Sequence, residues 1–273
     1  MLAIGTPAAA QGYADLADQA LEAIARDSLE QAERLIRLAL KTDPANQHNA
    51  LLFSNLATIQ RAQGRYEQAL ENYTFALNMM PEAVPILLNR ATLYMEMGRD
   101  RHALADYTLV LDLQPHNREA LLMRAYLRMQ ARQYKEAHAD YDTLLRVAPG
   151  DFKARLGLAT LLQDEGKRQE ALSLLDKMIA EQGVQPDSAD VADCALLYTA
   201  RAGVYQGLGQ AEAALLDLEE AVRLDPALPD VYLMRSRLYL SQGKKREARQ
   251  DVEKAIELGV PVSEVYDLLQ QCR

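Results

Sequence analysis

The 273-residue chain contains no tryptophan, three phenylalanines, two cysteines and four histidines. Each scarcity closes off a class of protein. Cys194 and Cys272 lie far apart with no CxxC or Cys/His spacing, which argues against both a disulfide framework and a zinc module. His48, His102, His116 and His138 form no ligand pattern either, so no metal or cofactor is expected. No apolar run reaches the length of a membrane span. Lys and Arg number 30 against 39 Asp and Glu, a formal charge of −9, and that balance opposes nucleic-acid binding, which draws on clustered cations. The longest basic run, Lys244-Lys245-Arg246, reads as a solvated helix start. No HExxH, GxSxG, GxGxxG or P-loop occurs, and no enzymatic activity is expected.

What the chain does contain is apolar material, 49% of its residues, rich in Ala and Leu, which favour helices. Strand signals are almost absent. Ala recurs at 32, 69, 103, 137, 171, 214 and 248, with spacings of 37, 34, 34, 34, 43 and 34. Twelve residues before each stands another small residue: Ala20, Ala57, Ala91, Ala125, Ala159, Ala202 or Ser236. A 34-residue period with two small residues per unit predicts pairs of closely packed antiparallel helices, each leaving an apolar face for the next to cover. Gly64, Gly98, Gly166, Gly209 and Gly243 mark the turn inside five units, with Asp27 and Arg132 in the other two. Pro44, Pro81, Pro115, Pro149 and Pro226 stop the second helix, a role taken elsewhere by Gly183 and by Val260-Pro261.

Numbered from 1 within a unit, the recurring residues are a small residue at position 8, Gly at 15, Tyr at 17 or 24, Ala at 20 and Pro at 32. This pattern resembles the tetratricopeptide (TPR) repeat over residues 13–262. In the unit 50–83 the matches are Ala57, Gly64, Tyr66, Ala69, Tyr73, Ala76 and Pro81, with Phe53 at the expected aromatic place; Arg132 and Met178 are departures elsewhere. The resemblance implies an all-α, right-handed α-α superhelix of seven helix pairs: 13–46, 50–83, 84–117, 118–151, 152–185, 195–228 and 229–262. An insertion at 186–194 interrupts the period, and Asp187 or Ser188 could cap a helix running on through Leu196; hinge, binding lip and plain loop all stay open. Asp15, Asp18, Gln19, Glu22 and Arg26 give the first helix a polar outer face. At the other end, residues 263–273 read as a capping helix starting at Ser263, its stripe Val265, Leu268, Leu269 and Cys272 laid over the last unit.

Arg and Asp recur together 16 residues apart, at positions 7 and 23: Arg90/Asp106, Arg124/Asp140, Arg201/Asp217 and Arg235/Asp251. In the unit 152–185 both give way jointly to Leu158 and Leu174. Joint replacement points to contact between the two helices of a unit, so these are read as structural ion pairs and not as a ladder for acidic ligands.

The resemblance also implies that positions 2, 5, 6, 9 and 12 of the first helices line a concave, partner-binding wall. In the second to fourth units this wall is Asn55, Thr58, Leu88, Asn89, Thr92, Met123, Tyr126 and Met129, flanked by Ser54, Met95 and Leu122. Met adapts to irregular partners and a carboxamide bonds both groups of a peptide unit, so the wall suits a peptide or partner protein. The clamp by which some TPR proteins hold a C-terminal carboxylate is not expected: Asn89 fits it, but Ser54, Thr58, Glu119 and Met123 stand where Lys and Arg are needed. The expected function is a non-enzymatic protein–protein interaction scaffold, a monomer or weak oligomer. Self-association and small-molecule or glycan binding are the alternatives.

Residues 1–10, MLAIGTPAAA, are apolar and end in small residues before Gln11, like the tail of a secretory signal peptide cut after Ala10. Export to a bacterial periplasm is the expectation this raises. An unstructured N-terminus on a cytoplasmic protein is the alternative.

Overall fold

The computed structural model describes residues 7–182 and 191–273, and every described element is an α-helix or a turn. The chain divides into two compact units, residues 1–131 and 132–273. The first holds α1 (Pro7–Ala25), α2 (Leu29–Thr42), α3 (Asn49–Ala62), α4 (Tyr66–Met79), α5 (Val84–Glu96), α6 (Asp100–Leu113) and α7 (Arg118–Gln130). The second holds α8 (Tyr134–Val147), α9 (Phe152–Asp164), α10 (Arg168–Gln182), α11 (Val191–Gly207), α12 (Ala211–Leu224), α13 (Pro229–Ser241), α14 (Lys245–Glu257) and α15 (Val262–Gln271). Within the first unit α1 pairs with α2, α3 with α4 and α5 with α6; within the second α9 pairs with α10, α11 with α12 and α13 with α14, and α15 packs on α14.

Close approach of paired helices follows from the small residues. Ala20 and Ala32, Ala57 and Ala69, and Ala91 and Ala103 are each fully buried, so no β-substituent holds α1 from α2, α3 from α4, or α5 from α6. In the second unit Ser236 takes the same place against Ala248, and its hydroxyl satisfies itself on the Leu233 carbonyl at 2.8 Å. Between pairs the apolar faces close over one another; Ile36 of α2 and Leu52, Leu56 and Ile59 of α3 share one cluster.

The turn after each first helix needs a left-handed residue. At Gly98 (φ 67°) the chain reverses while the Arg99 N–H reaches back to the Tyr94 carbonyl at 2.7 Å, sealing the end of α5. Asp27 and Arg132 adopt φ of 55° and 58° in the same role, a conformation costing a side-chain-bearing residue roughly 1 kcal/mol.

Two expectations shift at the ends. Helix α1 begins at Pro7, with proline in the first turn where no donor is needed, so residues 7–12 extend the first helix ahead of the unit start expected at 13. Helix α15 begins at Val262 after Pro261, so Ser263 lies inside it and does not cap it. Val265 and Cys272 are buried against Ala248 and Val252, with Leu268 and Leu269 packed on the same cluster. The proposed caps Asp187 and Ser188 lie outside the described residues; α11 is already helical at Val191 and runs on through Leu196.

Candidate functional site

The wall expected from the sequence lies wholly in the first unit, on α3, α5 and α7. Asn55 on α3 and Asn89 on α5 hold the same position in successive repeats, and both are half-buried. Neither carboxamide forms a side-chain hydrogen bond among the described residues. Leu88, Thr92 and Met123 are half-buried beside them, Thr58 is exposed, and Tyr126 is 43% exposed. Met129 and Leu122 are 7% and 6% exposed and belong to the core more than to the wall.

The two threonines are engaged by the scaffold. Thr58 donates to the Ser54 carbonyl at 3.0 Å, leaving its oxygen to accept from the buried Tyr73 hydroxyl 2.9 Å away. Thr92 repeats this with the Leu88 carbonyl at 3.0 Å and the Tyr107 hydroxyl at 3.4 Å, and Tyr107 also reaches the Met95 sulfur at 3.5 Å. Burial pushes both tyrosine pKa values upward, so both hydroxyls are donors at neutral pH. The sequence carries a signal for this pairing, a Thr and a Tyr 15 residues apart in two successive units, which the reading of the wall passed over.

Three of the expected ion pairs lie within one unit, and each is a forked contact. Arg90 meets Asp106 through two bonds of 2.8 Å, Arg201 meets Asp217 at 2.8 and 2.7 Å, and Arg235 meets Asp251 at 2.8 and 2.7 Å. All three aspartates are buried. Arg201 lies over the rings of Tyr198 and Tyr205, and Arg235 over those of Tyr232 and Tyr239; among the described residues Arg90 has the ring of Tyr94. Burial would lower the Arg90 pKa, yet its bonds to Asp106 carry it above the ordinary value. In the fourth set, Asp140 is buried and Arg124 donates to Thr108 at 3.4 Å, and both make further polar contacts besides. Leu158 and Leu174 pack on the apolar cluster of α9, α10 and α11.

Further charged contacts were not anticipated. Arg61, at the last wall position of α3, reaches Glu96 of α5 at 3.4 Å. Arg65 is paired with the buried Glu33 of the preceding repeat at 2.5 Å, and Arg99 with Glu67 at 2.9 Å. Both of these join residues 32 apart, a register invisible within one unit.

The second unit has a wall of its own. A β-carbon on Gly203 of α11 would stand 3.4 Å from the Gln163 amide of α9 and 3.7 Å from the Met234 methyl of α13, so these three wall positions meet on one face. Among the described residues no three His, Cys, Asp or Glu side chains gather as a metal site would, and no helix is long and apolar enough to cross a membrane.

Stacked pairs with small residues at both crossings define an α-solenoid of short helical repeats. Tetratricopeptide-repeat family models match residues 60–105 and 128–192, and residues 195–228 and 229–258. A solved tetratricopeptide repeat protein from Parabacteroides merdae is similar at 32% identity and a TM-score of 0.86, covering 96% of this chain and 99% of that one. A thermophilic TPR protein of Thermus thermophilus is similar at 25% identity and a TM-score of 0.56, over 70% of this chain and 97% of its own. The pilF protein of Pseudomonas aeruginosa shares the fold at 19% identity and a TM-score of 0.62, over 86% and 99%. No curated protein matches the sequence. The chain belongs to the tetratricopeptide-repeat family, whose members bind other proteins.

Proposed function

We propose that the chain is a non-enzymatic scaffold that holds an extended segment of a partner protein along the wall formed by α3, α5 and α7. The observation carrying this reading is the pair Asn55 and Asn89: two half-buried carboxamides at one position of adjacent first helices, with no hydrogen bond among the described residues. Packed helices lie about 10 Å apart, the reach of about three residues of extended chain, so the two amides match peptide groups about three residues apart on one strand. Leu88 beside Asn89, and Met123 and Tyr126 on α7, supply apolar contact along the same wall. Thr58 and Thr92 support the wall from behind through Tyr73 and Tyr107.

Residues 1–10 support a second part of the proposal, export from the cytoplasm, by their apolar stretch and small-residue end. N-terminal sequencing of the exported protein tests it: a start near Gln11 is expected, and retention of residues 1–10 would contradict it.

The binding test selects peptides from a displayed random 12-residue library against the full chain. Binders weakened about tenfold or more by Asn55→Ala/Asn89→Ala support the wall. Binders indifferent to both substitutions place binding elsewhere, and light scattering of the unliganded protein reads self-association separately.

A further inference from the structure

Tyr141, on α8, holds the same repeat position as Tyr73 and Tyr107, and at 4% exposure it is as much a core residue as they are. Its hydroxyl differs from theirs. Among the described residues it forms no hydrogen bond, and the ninth position of its repeat is Tyr126, where the two repeats before it have threonine. The hydroxyl points instead at Gly157 of α9: a β-carbon there would stand 2.5 Å from the Tyr141 oxygen and 2.7 Å from the ring carbon bearing it. Gly157 occupies the wall position that Asn55 and Asn89 hold in the first unit. A β-carbon points away from the helix axis, so the hydroxyl stands on the wall face of α9, in the space a side chain would fill.

We infer that Tyr141 over Gly157 is a second polypeptide-binding point, in which the tyrosine hydroxyl donates to a main-chain carbonyl of the bound partner. This rests on the reading of the protein as a polypeptide-binding scaffold. A glycine in mid-helix costs about 1 kcal/mol relative to alanine and lets another backbone come close. Where Asn55 and Asn89 reach outward with an amide, α9 offers a bare backbone and a donor set flush with it. Gly203 and Ala200 continue the low surface onto α11, with the Gln163 amide beside Gly203. An unspent phenolic donor at the base of a side-chain-free notch suits a carbonyl oxygen brought in by an extended backbone. The charged neighbour acting on Tyr141 is Asp140, whose charge opposes a carboxylate at this point. Burial, together with Asp140, lifts the Tyr141 pKa to about 12, so the donor keeps its proton across the physiological range.

The test uses the full chain and a synthetic peptide taken from the displayed library, with Tyr141→Phe, which removes one oxygen and leaves the ring packed on Gly157. Peptide affinity is expected to fall about five- to tenfold while the thermal midpoint stays that of the wild type. Tyr232→Phe is the control; its buried hydroxyl donates to the Pro226 carbonyl at 3.0 Å away from the wall, so it should lower the midpoint and leave affinity alone. If no library-selected peptide is weakened by Tyr141→Phe while some are weakened by Asn55→Ala/Asn89→Ala, the inference is overturned and the scaffold reading stands. A lowered midpoint with unchanged affinity in Tyr141→Phe overturns it also, by making the hydroxyl structural. A library that yields no binder to the wild type removes both.

Discussion

The two units build the same repeat and finish its inner surface differently. In the first, a buried tyrosine hydroxyl is hydrogen-bonded to a threonine on the wall, at Tyr73/Thr58 and Tyr107/Thr92, and the wall rises in Asn, Leu and Met side chains. In the second, Tyr141 faces Gly157 with its hydroxyl unspent, and Ala200 and Gly203 keep the surface low. The ion pairs diverge in the opposite sense: Arg201 and Arg235 are each held by two tyrosine rings as well as an aspartate, Arg90 by one ring. One packing scheme therefore supports a bulky amide-bearing wall and a flat wall read by a recessed donor, because the wall positions carry little of the stability.

That division predicts where substitutions are felt. The largest effect belongs to the clamped pairs. Arg235→Leu or Asp251→Leu should each cost about 3–5 kcal/mol in urea unfolding by stranding a buried charge, whereas the double substitution recovers most of the loss, as Leu158/Leu174 show is tolerable. Small additive losses would make the pair a surface contact. Next comes Gly157→Ala, expected to cost about 1–3 kcal/mol because the new methyl meets the Tyr141 oxygen at 2.5 Å; Asn89→Ala at the equivalent place should cost under about 0.5 kcal/mol. Equal costs would erase the distinction between the walls. Tyr73→Phe should then cost about 1 kcal/mol and Tyr141→Phe close to none, a difference of one hydrogen bond.

The smallest effect is a pH dependence carried by Glu33 in the first unit. The hydrogen bond from Arg65 holds the Glu33 carboxyl below its ordinary value of 4.5, against the opposing push of burial. A folded pKa below the unfolded one stabilises the protein above about 4.5, and the gain is lost as pH falls through the lower folded value. Glu33→Gln should therefore cost about 1 kcal/mol at pH 7 and progressively less below pH 4.5. A constant difference across that range would assign the loss to packing.

Helix pairing was legible in the sequence because its determinants sit at fixed spacing within one unit: small residues at two crossings, a left-handed turn, and a proline stop. The Arg–Asp pairs were legible for the same reason, since arginine and aspartate appear and vanish together. The wall was only partly so. Thr58 and Thr92 look like ligand groups until the hydroxyls behind them are seen, and Met129 sits at a wall position while packing into the core. Arg65–Glu33 and Arg99–Glu67 cross between repeats, and a glycine that makes room for a tyrosine of the preceding repeat leaves no pattern of its own. These features depend on how one repeat is rotated onto the next, which a period alone does not specify.

The measurement closest to the central claim is a calorimetric titration of one library-selected peptide into the wild type and into Asn55→Ala/Asn89→Ala, each with its thermal midpoint recorded. The account predicts affinity reduced about tenfold or more with the midpoint unchanged. Equal affinity in the two proteins would contradict it.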